Sequence, residues 1–133
     1  MSEIKTRLFI NGAYVEGQGK VETAFEPALG TPLAEIASAS DAQIDAAVMA
    51  ADAAYRSWSK TTPRERSAAL LAIAAAIEAK ADQLAVVESR NAGKPLRFVK
   101  AGELANVADV FRFYGTAVRN MPAPAAGNYR SST

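Results

Sequence analysis

The side chains that could do chemistry in this chain are mainly carboxylates and lysines, because the sequence contains neither cysteine nor histidine. Without cysteine there is no thiolate nucleophile, no disulfide and no thiolate metal ligand. Without histidine the commonest general base and metal ligand is missing too. We therefore expect the chain to support a reactive centre supplied by other residues, and most hydrolytic and redox chemistry is excluded for it alone.

The remaining polar residues do not form a recognisable catalytic pattern. Asp52 and Arg56 are four residues apart, which predicts an exposed ion pair on a helix. The run Gly17-Gln18-Gly19-Lys20 lacks the third glycine of a dinucleotide-binding loop and opens no helix, so phosphate binding is not favoured. Six carboxylates of the later helical stretches are scattered among Lys and Arg residues, a pattern typical of solvated helix faces: Glu65, Glu78, Asp82, Glu88, Glu103 and Asp109.

Composition limits the class of protein. The chain has 133 residues, half of them apolar, with 15 basic and 14 acidic residues and a net charge of +1. A chain of this length can bury one modest core, and its charge balance argues against nucleic acid as a partner. The N-terminus lacks the apolar run of a signal peptide, and no stretch approaches the roughly 18 apolar residues of a membrane span. We expect a cytoplasmic protein without membrane contact.

Residues 1–37 predict strands and turns. Lys5–Ile10 and Ala13–Val15 flank Asn11-Gly12, which is the strongest short signal for a hairpin. Val21–Phe25 is a second extended run, Pro27–Pro32 predicts a loop, and Leu33–Ala37 predicts a further strand.

Residues 38–121 predict three or four amphipathic helices. Ser40 and Gln43 form one capping box, and Thr62 and Glu65 form a second one with Pro63 in the first turn. The helix that begins at Ser40 has an apolar stripe: Ile44, Ala47, Val48, Ala51, Tyr55 and Trp58.

The region from 63 to 91 predicts one helix, or two with a bend near Lys80, before a stop at Gly93 and Pro95. A last helix is predicted over Leu96–Arg119, ended by Met121-Pro122. Its apolar stripe is expected to fill a core, while Phe113 lies off the stripe and implies a further partner element. That stripe comprises Val99, Val107, Val110, Phe111, Tyr114 and Val118. Residues 122–133 predict an arm or loop.

Taken in order, several short segments resemble the N-terminal quarter of the NAD(P)-dependent aldehyde dehydrogenases. They are Leu8-Phe9-Ile10-Asn11-Gly12, Pro27-Ala28-Leu29-Gly30, Leu33-Ala34-Glu35-Ile36, Ala46-Ala47-Val48, Ala53-Ala54-Tyr55 with Trp58, Arg66, Glu88 to Leu96, and Phe113-Tyr114-Gly115 with Ala117. Within the superfamily, Asn91 to Pro95, Asp109 to Tyr114 and Ala126 to Tyr129 look most like bacterial aminobutyraldehyde and betaine-aldehyde dehydrogenases.

The resemblance implies an α/β fold, namely the N-terminal part of the Rossmann-like cofactor-binding domain, with the catalytic and oligomerisation regions absent from 1–133. It implies a parent enzyme that oxidises an aldehyde, such as 4-aminobutanal or betaine aldehyde, to the acid with NAD or NADP. No catalytic or cofactor-binding residue can be carried over. The implied partners are the remainder of the dehydrogenase chain, a small-molecule aldehyde and further copies in a dimer or tetramer.

Two site predictions rest on the resemblance. Family members commonly hold a monovalent cation through a backbone carbonyl, here that of Phe25, and an Asp that is Asn91 here, so the charge is missing. The usual Asn before the turn proline is Glu26. Glu103 and Asn106 match positions that present acidic groups to a substrate ammonium at the aldehyde entrance, and Asp109 extends that face.

A second hypothesis comes from a different class of function. The chain could be a free-standing helical interaction or assembly module without catalytic activity. Such a module should melt cooperatively as a monomer, whereas a fragment should expose apolar faces and bind dye.

Overall fold

The computed structural model describes residues 4–120 of the 133. These residues belong to two compact units, each with its own internal packing. The first unit combines the chain up to Ser59 with Val87–Lys94. The second combines Lys60–Val86 with the chain from Pro95 onward. The predicted arm at 122–133 lies outside the described residues.

The first unit begins with a hairpin. Strands β1, Leu8–Ile10, and β2, Ala13–Val15, pair antiparallel. Asn11 and Gly12 both have positive φ, at 50° and 79°, as a type I′ turn requires. The hairpin prediction is confirmed, although the first strand is shorter than predicted because residues 5–7 do not pair.

A second hairpin follows in the same unit. Strands β3, Val21–Glu26, and β4, Thr31–Ala37, pair antiparallel with an irregularity between Ala24 and Phe25. Gly30 has a φ of 67° and closes the intervening turn. The predicted loop over Pro27–Pro32 is too long by two residues, because Pro32 pairs opposite Phe25.

The glycines of Gly17-Gln18-Gly19 serve close backbone packing. A Cβ added at Gly17 would lie 2.1 Å from the carbonyl oxygen of Ala37, and one at Gly19 would lie 2.9 Å from that of Ala39. The N–H of Gly19 donates to the carbonyl of Ser38 at 2.7 Å. Glycine is therefore needed at both positions, because the two backbone segments come too close for a Cβ atom.

Helix α1, Asp41–Trp58, begins at the predicted capping box of Ser40 and Gln43. The Gln43 side chain also fixes the preceding loop, because its Oε1 accepts from the Gln18 N–H at 2.9 Å and its Nε2 donates to the Glu16 carbonyl at 2.8 Å. The predicted apolar stripe of α1 is not a buried face. No residue of α1 is buried, and Val48 and Tyr55 are each more than 60% exposed.

The region from 63 to 91 forms two helices. Helix α2, Pro63–Ala79, starts at the capping box of Thr62 and Glu65. Lys80, with φ −111° and ψ 12°, separates it from α3, Ala81–Ala92. Gly93 follows with a φ of 71° and donates its N–H to the Ser89 carbonyl at 2.9 Å, which ends α3 as predicted.

The sequence predicts one uniform helix for the last helical segment, but the structure has three consecutive pieces. A single turn, α4, covers Leu96–Phe98; a π-helical turn covers Val99–Glu103; and α5 covers Leu104–Ala117. The helix therefore stops two residues before the predicted end at Arg119. A π-turn inserts an extra residue and shifts the phase of the side chains that precede it.

Helices α2 and α5 form the core of the second unit through small residues. Among the buried and half-buried positions of each helix, one series repeats at intervals of four and three, as in packed helix pairs. On α2 this series is Pro63, Ser67, Leu70, Ala74 and Ile77, and on α5 and just beyond it is Leu104, Ala108, Phe111, Gly115 and Val118. The predicted stripe is therefore partly wrong, because Val107, Val110 and Tyr114 are exposed while Ala108 and Gly115 are buried.

Gly115 lets the two helices approach each other. A Cβ at this position would lie 3.1 Å from Cδ2 of Leu71 and 3.4 Å from Cβ of Leu70. We expect Gly115→Leu to destabilise the protein by about 1–3 kcal/mol, because overpacking forces neighbours off their rotamers. Gly102→Leu is the matched control, since a Cβ there meets nothing within 4 Å. Urea unfolding followed by circular dichroism measures both, and equal losses would contradict the role of Gly115.

Candidate functional site

The two residues of the predicted cation site lie in the first unit. Phe25 is on β3 and is 55% exposed. Asn91 is in the last turn of α3 and is also exposed. Pro32, the cross-strand partner of Phe25, has no N–H to donate to the Phe25 carbonyl. The chain neighbours of these two residues bring the two segments into contact.

That contact is an ion pair between Glu26 and Arg90. Nε of Arg90 donates to Oε2 of Glu26 at 2.9 Å, and the carboxylate side chain is only 14% exposed. Beside it, a Cβ added at Gly93 would lie 3.1 Å from Cβ of Pro27. The turn after β3 therefore packs directly on the end of α3.

We call this contact between the turn after β3 and the end of α3 the corner. Its residues do not suit a monovalent cation. Such ions prefer carboxylate and carbonyl oxygens. The Glu26 carboxylate is already neutralised by Arg90, and Asn91 contributes a dipole without charge. A cation here would also meet the guanidinium charge of Arg90. The assignment of Phe25 and Asn91 as cation ligands stays a prediction.

The three predicted substrate-entrance residues lie in the second unit, at the start of α5. Glu103 ends the π-turn, while Asn106 and Asp109 follow one turn apart on α5. All three are exposed. They lie on the side of the helix away from α2, because Ala108 and Gly115 occupy the packed side.

The same exposed side of α5 carries large apolar residues. Phe113 is 63% exposed, as its position off the predicted stripe implies, and it packs edge-to-face on Tyr114 with ring centroids 5.3 Å apart. Val110 is 52% exposed. Polar and aromatic groups on one face could bind a small molecule with a cationic end and an apolar body.

An ion pair next to this face joins α5 to α2. Arg112 donates to Glu78. The hydrogen bond from Arg112, and then its charge, hold the pKa of the Glu78 carboxyl below its usual value, although partial desolvation opposes this. The hydrogen bond to Glu78 and the charges of Glu78 and Asp109 raise the pKa of Arg112. Asp109 thus interacts electrostatically with Arg112 on the same helix.

Sequence reasoning missed these ion pairs. Glu26 and Arg90 are 64 residues apart, and Glu78 and Arg112 are 34 apart, so no local spacing could indicate them. A third pair, Lys100 with Asp82 at 2.6 Å, lies at a polar cavity of about 470 Å³ beside Lys80. By contrast, the local Asp52–Arg56 pair is confirmed at 3.9 Å.

Comparison with known proteins gives the family. Residues 14–131 match the family model described as the aldehyde dehydrogenase family. The chain belongs to the aldehyde dehydrogenase family. Its fold is that of the N-terminal part of an aldehyde dehydrogenase domain, with short antiparallel strand pairs followed by helices.

Solved aldehyde dehydrogenases resemble this chain over most of its length. PnpE in complex with nicotinamide adenine dinucleotide is 33% identical, with a TM-score of 0.81 over 85% of this chain and 23% of that one. A γ-glutamyl-γ-aminobutyraldehyde dehydrogenase from Burkholderia cenocepacia J2315 is 32% identical, with a TM-score of 0.85 over 93% and 26%. The indole-3-acetaldehyde dehydrogenase AldA of P. syringae, in complex with NAD+, is 29% identical, with a TM-score of 0.86 over 95% and 26%.

The chain therefore spans about a quarter of the length of these aldehyde dehydrogenases. Among residues 4–120, no helix is long and apolar enough to cross a membrane. No group of three or more Asp or Glu side chains in that range is arranged to hold a metal ion.

The Glu78–Arg112 pair should make the free energy of unfolding depend on pH. A carboxyl whose pKa is lowered on folding stabilises the protein above its unfolded pKa and loses that contribution as the pH falls through the folded value. We expect Glu78→Gln to be less stable than the parent at neutral pH and to approach it as the pH falls below the folded-state pKa of Glu78. Urea midpoints across this range measure the difference. Glu35→Gln, at an exposed position on β4, is the control, and a constant gap for Glu78→Gln would refute the pair's contribution.

Proposed function

We propose that this chain is the N-terminal portion of the cofactor-binding domain of an NAD(P)-dependent aldehyde dehydrogenase, and that it is inert alone. In this proposal residues 1–37 supply strands and turns, 38–121 supply helices, and 122–133 supply an arm or loop. The whole enzyme oxidises an aldehyde to the carboxylic acid. NAD or NADP accepts the hydride when bound.

The observation that carries the proposal is the family match over residues 14–131, together with a length about one quarter of the related enzymes. Exposed apolar side chains on α1 and α5 support it, because such faces are normally covered in a finished domain. The covering partner is then the remainder of the dehydrogenase chain. The role of this portion is to position helices around a nucleophile that it does not contain.

The polar face of α5 suggests an aminoaldehyde as substrate. Glu103 and Asp109 bring two carboxylates, and Asn106 adds an amide between them along the helix. Carboxylates attract an ammonium group, whereas the neighbouring Phe113 offers apolar surface for a carbon chain. 4-Aminobutanal and betaine aldehyde are the candidate substrates, because each carries a cationic nitrogen on a short carbon chain. We further propose a cytoplasmic enzyme that assembles as a dimer or tetramer.

The free-standing assembly module remains the alternative. The two capping boxes and the α2–α5 core are features that a stable module would also have. Against it, α1 buries none of its residues in the structure. Exposure on this scale is unusual for a self-sufficient domain.

A dye-binding experiment separates the two functions. We expect the 133-residue chain to bind a hydrophobic dye such as ANS at low temperature, to melt over a broad range and to form no NADH with NAD+ and 4-aminobutanal. Fluorescence, calorimetry and absorbance measure the three properties. A sharp transition without dye uptake would favour the module, and NADH formation by the pure chain would overturn the proposal that it is inert.

Removing the carboxylates tests the substrate class in the full-length parent enzyme. We expect Glu103→Gln with Asp109→Asn to raise KM for 4-aminobutanal by roughly two- to fivefold, the effect of losing exposed charge pairs. Steady-state kinetics with butanal, which carries no charge, is the control and should not change. An equal change of KM for both aldehydes would show that these residues do not bind the ammonium group.

A further inference from the structure

The corner between β3 and α3 is held by a half-buried charge pair of unusual span. Glu26 and Arg90 meet at 2.9 Å across 64 residues of sequence. Their side chains are 14% and 32% exposed, whereas those of the surface pair Asp52–Arg56 are 74% and 82% exposed. A charge-assisted hydrogen bond that is shielded from water stabilises more than an exposed one.

The pair fixes a tight turn as well as two side chains. The Glu26 backbone carbonyl accepts from the N–H groups of Leu29 at 3.2 Å and Gly30 at 2.8 Å, which closes the turn after β3. Pro27, the first residue of that turn, lies against Gly93 just beyond α3. Glu26 thus joins the turn's backbone to the end of α3.

We propose that the Glu26–Arg90 ion pair, rather than a bound monovalent cation, holds this turn on the end of α3. The guanidinium supplies the positive charge of the corner, and the Glu26 carboxylate supplies the negative charge. Asn91 needs no charge of its own in this arrangement. Phe25 and Asn91 each adjoin one member of the pair, so a cation between them would meet a neutral pair instead of a free carboxylate.

The proposal has a direct consequence for ion dependence. The positive charge of the corner is a side chain of the protein itself, so it does not depend on an ion that can dissociate. Stability should then respond to ionic strength but not to the identity of the cation. A site that binds potassium or sodium would instead gain stability as the concentration of that ion rises.

Urea unfolding of the 133-residue chain tests the proposal in potassium, sodium and tetramethylammonium chloride at one ionic strength. We expect the same midpoint in all three salts. Arg90→Leu and Glu26→Gln should each lower the urea midpoint in all three salts, because each variant loses a charged hydrogen bond. The double variant should lose little more than either single variant. Arg56→Leu, in the exposed pair, is the control and should change little.

Two results of the urea measurements would overturn the proposal. One is a parent midpoint that rises in potassium or sodium relative to tetramethylammonium. The other is an Arg90→Leu variant as stable as Arg56→Leu. The sodium NMR linewidth of the parent chain is a second measurement that needs no variant. Excess broadening that potassium removes would show a bound cation, whereas an unbroadened line supports the ion pair. Both readouts are independent of enzymatic activity, so they do not test the proposed dehydrogenase function.

Discussion

Close packing between α2 and α5 determines what the second unit can present to a ligand. Small residues are buried on both helices, Ala74 on α2 and Ala108 and Gly115 on α5, and Gly115 leaves room for the leucines of α2. Because a helix has only one side toward its neighbour, burying these small residues turns Asn106, Asp109 and Phe113 outward. The composition of the proposed entrance face is thus a consequence of how the opposite face packs.

In the first unit, an ion pair rather than helix packing holds two segments together. The turn after β3 and the end of α3 are far apart in sequence. Glu26 and Arg90 supply a directional contact there, and Gly93 allows Pro27 to approach. Because one neutral pair serves both segments, neither Phe25 nor Asn91 has to bring a charged ligand.

Features set by neighbouring residues could be predicted from the sequence. The Asn11-Gly12 turn and the capping boxes at Ser40 and Thr62 depend on contacts within four residues, and all are present in the structure. The packed face of α5 could not be predicted in the same way. An apolar stripe indicates hydrophobic residues, whereas this pair of helices selects for small ones and leaves Val110 and Tyr114 exposed. The pairing of Glu26 with Arg90 has no local signal at all.

A chain with no thiol or imidazole can still influence an aldehyde dehydrogenase reaction through placement. A carboxylate such as Asp109 selects a substrate only if its helix is held at a fixed distance from the reacting carbonyl. That rigidity comes from the α2–α5 contact and the Glu78–Arg112 pair, which lie within this part of the chain. The packing on α2 leaves the exposed apolar residues of α5 uncovered. The same helix can therefore be anchored on α2 and also border a site completed by other residues. Under the proposed function, substrate selection and covalent chemistry would lie in separate parts of one enzyme.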